Sequence, residues 1–515
     1  MRVPLGRYPG MNRFVLDWLG GEERATRFLP RDGVVIPSGS EGPGRAGGAT
    51  SVPPSAQVPR CARDDNRALA DALLASNRHW GVFPDLTSWS NGESLTIVAG
   101  QQVGFAGGPL YTLAKIATLV RLKRDLEKQG LPVTAFFWLA TEDHDFDEVA
   151  TLNVPVSNQQ LDLLCMRAVR TTASRAVVGS LPVPETLITQ LLAFYDIPRP
   201  NWLREGITFR DSFAELIAGI FGNEIVLVDA LLPELRRAGA PLFDAIQTRH
   251  DEIQKLLAHR AEEFSKAGYH EQVVPREGNE YTLLFELDEN GHRQPPTANR
   301  QPEKTSTSAL TRPLLQDYVL QPHVFVGGPA EVAYYAQIAP LHELLGVAMP
   351  RVALRGHVVV APKRVARAFD RYGIDPAEIF DSADAILAEH EPEGVVRVQS
   401  IAEEAKRDLF ARIEQIGAIA LPAEHSLARS IERSIGHLEY HFDKLAERAI
   451  KGLVRKDRER YVATRELVAT LYPDRHVQDS VVSWFAYWCV YGQELIDRVI
   501  ENVEPDSGVF KIVEL

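Results

Sequence analysis

Apolar residues change their spacing several times along this chain, and each change predicts a different kind of element. Ser94–Ala99 (SLTIVA) is an apolar run of strand length, followed by the glycine-rich GQQVGFAGGP and then by the helical run LYTLAKIATLVRLKRDLEKQG. Pro109 suits a first helical turn, where its missing N–H is no loss, and Gly130 marks the helix end. After a short turn comes Val133–Ala140 (VTAFFWLA), too short for a helix and rich in aromatics. Strand, helix and strand within about 45 residues make a βαβ unit, which predicts a parallel sheet of Rossmann type in an α/β core.

Around this unit the pattern is more broken. Residues 31–60 are rich in Gly, Pro and Ser without a hydrophobic period and read as a loop, before a helix over roughly Arg63–Ala75. Short alternating segments and prolines over about 151–210 suggest an inserted β-containing piece, and residues 271–305, with YTLLFEL and the turn DENG, suggest a second. Helical material resumes near Asp211, Glu224–Val228 reads as a core strand, and 234–267 as one long amphipathic helix. Later strands of the sheet are expected around HVFVGGP (323–329) and RVALRGHVVV (351–360).

From about 378 long helices take over. Ile431, Ile435, Leu438, Phe442, Leu445 and Ala449 recur at heptad spacing, and Ile401, Ala405, Leu409 and Ile413 recur at steps of four on a preceding helix. The break at Ala420-Leu421-Pro422 makes the pair an antiparallel α-helical coiled-coil hairpin. The expected organisation is therefore a core over 1–377, the hairpin over 378–470, and an aromatic-rich segment over 471–515 (VVSWFAYWCVYG) packing back on the core.

Composition narrows the function classes. At 515 residues the chain is long for a single core, so two or three units are expected. Its net charge of −13 and the absence of a basic stripe argue against nucleic acid as partner, and Lys451, Arg455, Lys456, Arg458 and Arg460 read as a solvated helix face. No apolar run approaches the roughly 20 residues of a membrane span, and the start MRVPLGRYPGMNRF has no signal-like apolar stretch. Cys61, Cys165 and Cys489 are scattered, which predicts a reducing cytoplasm rather than a disulfide framework or a zinc site.

Several polar groups could carry chemistry. Gly107, Gly108 and Pro109, between strand and helix, could cradle an anion with backbone N–H groups, or could simply make a tight turn. Gln101 and Gln102 add amides beside it. Tyr111 and Lys115 share a helix face, and Lys115 could reach an anion there or point to solvent. Glu142, Asp143, His144 and Asp145 follow a buried strand directly, where α/β sheets gather ligands. They could bind a metal, orient an amine or act as general base, or form a solvated acid cluster. The block with Ser308 and Arg312 precedes a second turn, Gly327-Gly328-Pro329, with Glu331 and Tyr334 in the next helix. Arg351 could pair with a substrate carboxylate or form a structural ion pair.

Taken together, GQQVGFAGGPLYTLAK, FFWLATEDHDFDE, STSALTRPLLQDYVL and VFVGGPAEVAYYAQ resemble the signature blocks of the bacillithiol biosynthesis cysteine-adding family, in order and over nearly the whole chain. VQDS at 477–480 departs from the family's pattern. The resemblance implies a Rossmann-like core with connecting-peptide-type insertions and a coiled-coil domain used in dimerisation. It also implies a cytoplasmic ligase that joins cysteine to the glucosamine amine of glucosaminyl-malate, in a site built from the residues above. Amide formation needs an activated carboxylate, so ATP is the expected co-substrate. Asp143 or His144 would handle the amine, Lys115 and the first glycine turn would receive the activating anion, and Arg312 and Arg351 would hold the malate carboxylates. Gly327 and Gly328 would join Gly107 and Gly108 in nucleotide binding, and no metal ligand set is assigned. A nucleotidyl- or aminoacyl-transferring enzyme for another metabolite, or a coiled-coil scaffold with a relict nucleotide fold, are the rival expectations.

Overall fold

The computed structural model describes residues 1–31, 60–156, 163–169, 176–275, 280–297, 300–389, 394–420, 427–454 and 458–515. Nearly all of the 31–60 segment, Leu421, Pro422, Arg455 and Lys456 lie outside them. Two compact units emerge, one built mainly from Met1–Pro155, Leu163–Ala361 and His476–Leu515, the other mainly from Pro362–Arg475.

The first unit is organised by five parallel strands: β1 (Leu95–Gln101), β2 (Val133–Leu139), β3 (Val226–Asp229), β4 (Val324–Gly327) and β5 (Arg351–Leu354). Their spatial order is β5-β4-β1-β2-β3. Every residue of β2 is buried, as its unbroken apolar run requires of a strand covered on both faces. Helix α1 (Leu110–Glu127) carries the chain from β1 to β2, and its Arg121 donates to Glu501 O (3.0 Å) of the C-terminal helix Gln493–Asn502, which packs on it. The sheet order reverses between β1 and β4. A crevice at such a point, outside the carboxyl ends of the strands, is where α/β sheets hold ligands.

Two sequence expectations need correction. The run 351–360 is not one strand of the sheet: Arg355 and Gly356 turn the chain so that His357–Ala361 joins a separate sheet with Arg2–Pro4 and Val509–Glu514. A Cβ at Gly356 would stand 2.7–2.9 Å from Val503 and Glu504, so only glycine fits that bend. The stretch 234–267 is three helices, Pro233–Ala238, Ala240–Thr248 and His250–Lys266. Periodicity alone passes over the break at Gly239, where a Cβ would lie 2.4 Å from the Leu315 side chain.

The inserted pieces are antiparallel. Thr151–Pro155 pairs with Leu163–Arg167, and a three-stranded sheet places Leu284–Leu287 between Arg293–Gln294 and Thr305–Thr307.

The second unit is helical and begins at Pro362, ahead of 378. Its long helices, Val395–Ala420 and Ala428–Val454, pack together. Ile431, Ile435, Leu438 and Phe442 are half-buried, but Leu445 is 65% exposed and Ala449 is exposed, while Ala446 and Ile450 continue the seam. Ile401 is likewise exposed, with Ala402 half-buried in its place. A straight helix drifts relative to a strict seven-residue repeat, so the contacting row moves by one position.

Candidate functional site

The carboxyl ends of β1, β2 and β4 open into a cavity of about 690 Å³ in the first unit. Its floor is set by α1 and by α4 (Pro329–Leu345), the helices that follow β1 and β4. Lys115 is buried there, and its ammonium donates to Gly100 O (2.8 Å), Gln101 Oε1 (2.7 Å) and Glu331 Oε2 (2.5 Å). All three of its N–H bonds are thus engaged, so this lysine stitches the two glycine-turn elements together beneath the cavity. Burial lowers the Lys115 pKa, and the Glu331 carboxylate opposes that shift.

One wall is the loop after β2. Glu142 is 2% exposed and accepts from Ser306 Oγ (2.9 Å), Thr307 N (3.1 Å) and Thr307 Oγ1 (2.5 Å), with Arg236 at 3.5 Å. It pins the strand end to the neighbouring three-stranded sheet. Asp143 Oδ1 accepts from His144 N (2.6 Å), and Oδ2 accepts from Gln102 Nε2 (2.5 Å). Burial alone would raise the Asp143 pKa, but hydrogen bonds from the His144 side chain and backbone, then Arg293 and Gln102, hold it well below the usual carboxylate range. His144 Nδ1 lies 3.3 Å from both Asp143 Oδ1 and Arg293 Nη1. Asp145 caps the short helix α2 (Phe146–Val149) by accepting from Glu148 N (3.1 Å).

A further part of the lining comes from the chain some 150 residues later. Arg312 opens α3 (Arg312–Leu320) and donates to Tyr334 Oη (2.5 Å). Burial works against its charge, but Tyr334, Glu331 and Tyr335 more than compensate and keep the guanidinium protonated. Arg293 donates to Thr307 O (3.1 Å) and lies over the Phe285 ring at 4.6 Å. Ser308 and Tyr281 complete this side. The result is a cavity lined by the guanidinium groups of Arg293 and Arg312 and by a carboxylate-rich loop, with Arg293 reaching that loop at His144.

Of the residues singled out from sequence, Gln101, Gln102, Glu142, Asp143, His144, Asp145, Ser308, Arg312 and Glu331 line this cavity. Gly108 and Tyr111 line a second one of about 370 Å³, which shares Asp147 and Glu148 with the first. The other expected residues are placed differently. Lys115 is held by its three acceptors and does not extend to an incoming anion. Gly107 N and Gly108 N donate to Gly104 O (3.0 Å) and Phe105 O (3.1 Å), and Leu110 N to Val482 O (2.9 Å). Those N–H groups are therefore satisfied within the protein and form no anion cradle. Gly328 N donates to Glu331 Oε2 (2.7 Å), so a carboxylate already sits at that helix start. Gly327 is buried in β4 against the Phe325 ring. Arg351 pairs with Asp506 (2.6 Å) and does not line the cavity; it is a structural ion pair.

Two residues escaped the sequence reading. Glu148 follows the capping Asp145 by three positions, the spacing of a helix start, which was a usable signal. Arg293 comes from a hairpin 149 residues beyond His144, and nothing local announces it. Among the described residues no group of three or more His, Cys, Asp or Glu could hold a metal ion, and no helix is long and apolar enough to cross a membrane.

Comparison with known proteins adds the family. The description "Bacillithiol biosynthesis BshC, N-terminal Rossmann-like domain" matches residues 56–296 and 295–356, and "Bacillithiol biosynthesis BshC, C-terminal coiled-coil domain" matches 358–515. Relatives from Koribacter versatilis and Solibacter usitatus are each 31% identical, over 484 and 477 residues, covering 86% and 87% of this chain and 89% of each relative. One from Salinibacter ruber is 26% identical over 490 residues, or 87% of this chain and 89% of its own length. All three carry the name "Putative cysteine ligase BshC". The chain belongs to the bacillithiol biosynthesis BshC family.

Proposed function

We propose that this BshC-family chain is a ligase that joins the carboxylate of cysteine to the glucosamine amine of glucosaminyl-malate. The observation that carries the reading is one cavity lined both by the guanidinium groups of Arg293 and Arg312 and by the carboxylate-rich loop after β2. A glucosaminyl-malate has two carboxylates on its malate and an ammonium on the sugar carbon next to the glycosidic linkage, so both kinds of partner must meet in one cavity. Arg293 and Arg312 suit the malate end, and charge-assisted hydrogen bonds from guanidinium to carboxylate are among the stronger polar contacts. The loop Asp143–Glu148 suits the ammonium. Asp143, held ionised, attracts that positive charge and orients His144 beside it.

A free carboxylate is a poor electrophile, so the cysteine must be activated, and ATP would supply that activation. The glycine turns do not fit as the cradle of its phosphates, because their N–H groups bond within the protein and Glu331 occupies the second helix start. We further propose that the protein acts in the cytoplasm as a homodimer through its helical hairpin. Exposed Leu445, Ile416 and Ile419 on the hairpin supply apolar surface for such a contact.

The test is mass spectrometry of purified protein with cysteine, glucosaminyl-malate and ATP, omitting each in turn. The expected result is the mass of cysteinyl-glucosaminyl-malate only in the complete mixture. Glucosaminyl-malate left unchanged by folded protein would overturn the reading.

A further inference from the structure

We propose that Glu148, on the shared wall of the two cavities, is the general base that takes the proton from the substrate's ammonium group. This rests on the ligase reading above and names the residue that makes the amine a nucleophile.

Amide formation must bring two substrates from separate seats to one point, and Asp147 and Glu148 are the side chains that line both cavities. The smaller cavity is also lined by Arg167, which pairs with Asp147 at 2.8 Å and offers a guanidinium to an amino-acid carboxylate. Glu148 therefore stands where an amine in the large cavity meets an acyl group in the small one.

The carboxylates of the large cavity differ in what already binds them. Glu142 is tied to Ser306, Thr307 and Arg236, and Asp143 to His144 and Gln102. Asp145 caps α2, Asp147 pairs with Arg167, and Glu331 holds Lys115 and Gly328 N. Among the described residues the Glu148 carboxylate has no hydrogen-bond or ion-pair partner, and its side chain stays open to solvent. It is the acid of this cavity left available to accept a proton.

Its surroundings set its basicity. Asp143 and Asp145 face it from its own loop, Lys115 and Tyr111 from α1, and Glu331 from α4. Although the side chain keeps an opening to solvent, the protein packed around it, then the negative charges of Asp143 and Asp145, push the carboxyl up to about 7, with Lys115 opposing. A base poised near the working pH both exists as the anion and binds a proton well. Burial and Glu148 together keep the Tyr111 phenol protonated, so it remains a donor beside this carboxylate. In the step itself an ammonium N–H bond breaks and its electron pair stays on nitrogen as the attacking lone pair. The proton forms an O–H bond on Glu148 and leaves to solvent through the opening.

The experiment compares full-length parental protein with Glu148→Gln and Glu148→Asp across pH, reading product by mass spectrometry. We expect Glu148→Gln to lower kcat by about 100-fold or more, with KM for both substrates within about threefold. The acid limb of the parental rate, rising with pH through about 7, should vanish and leave only the titration of the substrate amine. Glu148→Asp should give an intermediate rate with a shifted limb, which a merely structural role would not produce. Product from the parental protein together with an unchanged rate or an unchanged limb in Glu148→Gln overturns the assignment to Glu148 alone. No product from the parental protein overturns it together with the ligase reading.

Discussion

The tripeptide Gly-Gly-Pro occurs twice between a sheet strand and a helix, and the two copies do different things. In the first, Gly107 and Gly108 have φ of +85° and +75°, a left-handed backbone that side chains rarely adopt. The Trp484 indole lies against Gly107 and donates to its carbonyl at 3.0 Å, so this turn is a docking point for the C-terminal segment. In the second, Gly328 is extended, with φ −79° and ψ 176°, and serves as the N-cap of α4. Glu331 reaches back to its N–H and at the same time holds Lys115 from the first element. A shared tripeptide thus fixes neither the backbone conformation nor the ligand; what the N–H groups and flanking side chains already bind decides both.

The hardest way to break this arrangement is to remove the charge that joins the two elements. Lys115→Met should leave the half-buried Glu331 against an apolar side chain without its counter-ion. We expect a loss of roughly 3 kcal/mol, the cost of breaking a buried pair from one side, read as a fall in the first thermal transition. Methionine nearly matches lysine in volume, so an unchanged transition would mean that the ion pair does not join the elements.

A sharper contrast sets the glycines against each other. At Gly107 a new Cβ would stand 2.3 Å from the Trp484 ring in a left-handed conformation. At Gly328 it would stand 3.4 Å from Glu331 Oε2, an ordinary contact. Gly107→Ala should therefore cost about 2–3 kcal/mol and raise Trp484 fluorescence accessibility to quenchers, while Gly328→Ala should cost less than about 1 kcal/mol. Equal melting temperatures for the two variants would erase the distinction between the turns.

The smallest effect concerns the acid loop that both elements face. The folded-state pKa of Asp143 is depressed, so its contribution to stability is present above its unfolded value of about 4 and is lost as pH falls from there toward the folded pKa. Asp143→Asn should flatten the decline of melting temperature with acidification in that window, with little change at neutral pH beyond the lost hydrogen-bond geometry. An identical acid profile for parental and variant proteins would show that the carboxylate is not held down.

Much of the fold was legible in the sequence because hydrophobic spacing reports directly on elements. SLTIVA and VTAFFWLA have the length and composition of short buried strands, and a helix between them makes the pair parallel. The loop Glu142–Asp145 was found for the same reason, since residues following a buried strand must emerge at the sheet's carboxyl edge. The helical hairpin was legible as an element, but its contacting row shifted from Leu445 and Ala449 to Ala446 and Ile450. A repeat of seven does not fix the phase of a helix with 3.6 residues per turn.

By itself, then, the sequence determined the βαβ unit, the helical hairpin as an element, the positions of the glycine turns, and the chemical character of the loop after β2. Only the tertiary structure decided what each polar group binds. Lys115 meets Glu331 from 216 positions away, and Arg293 meets His144 from 149 positions away. Arg351 is drawn off to Asp506, and Glu148 is left among other carboxylates with no hydrogen-bond or ion-pair partner among the described residues. The reason is physical: hydrophobic period is a property of consecutive residues, whereas charge pairing, burial and basicity depend on which distant segments the fold brings within a few ångströms.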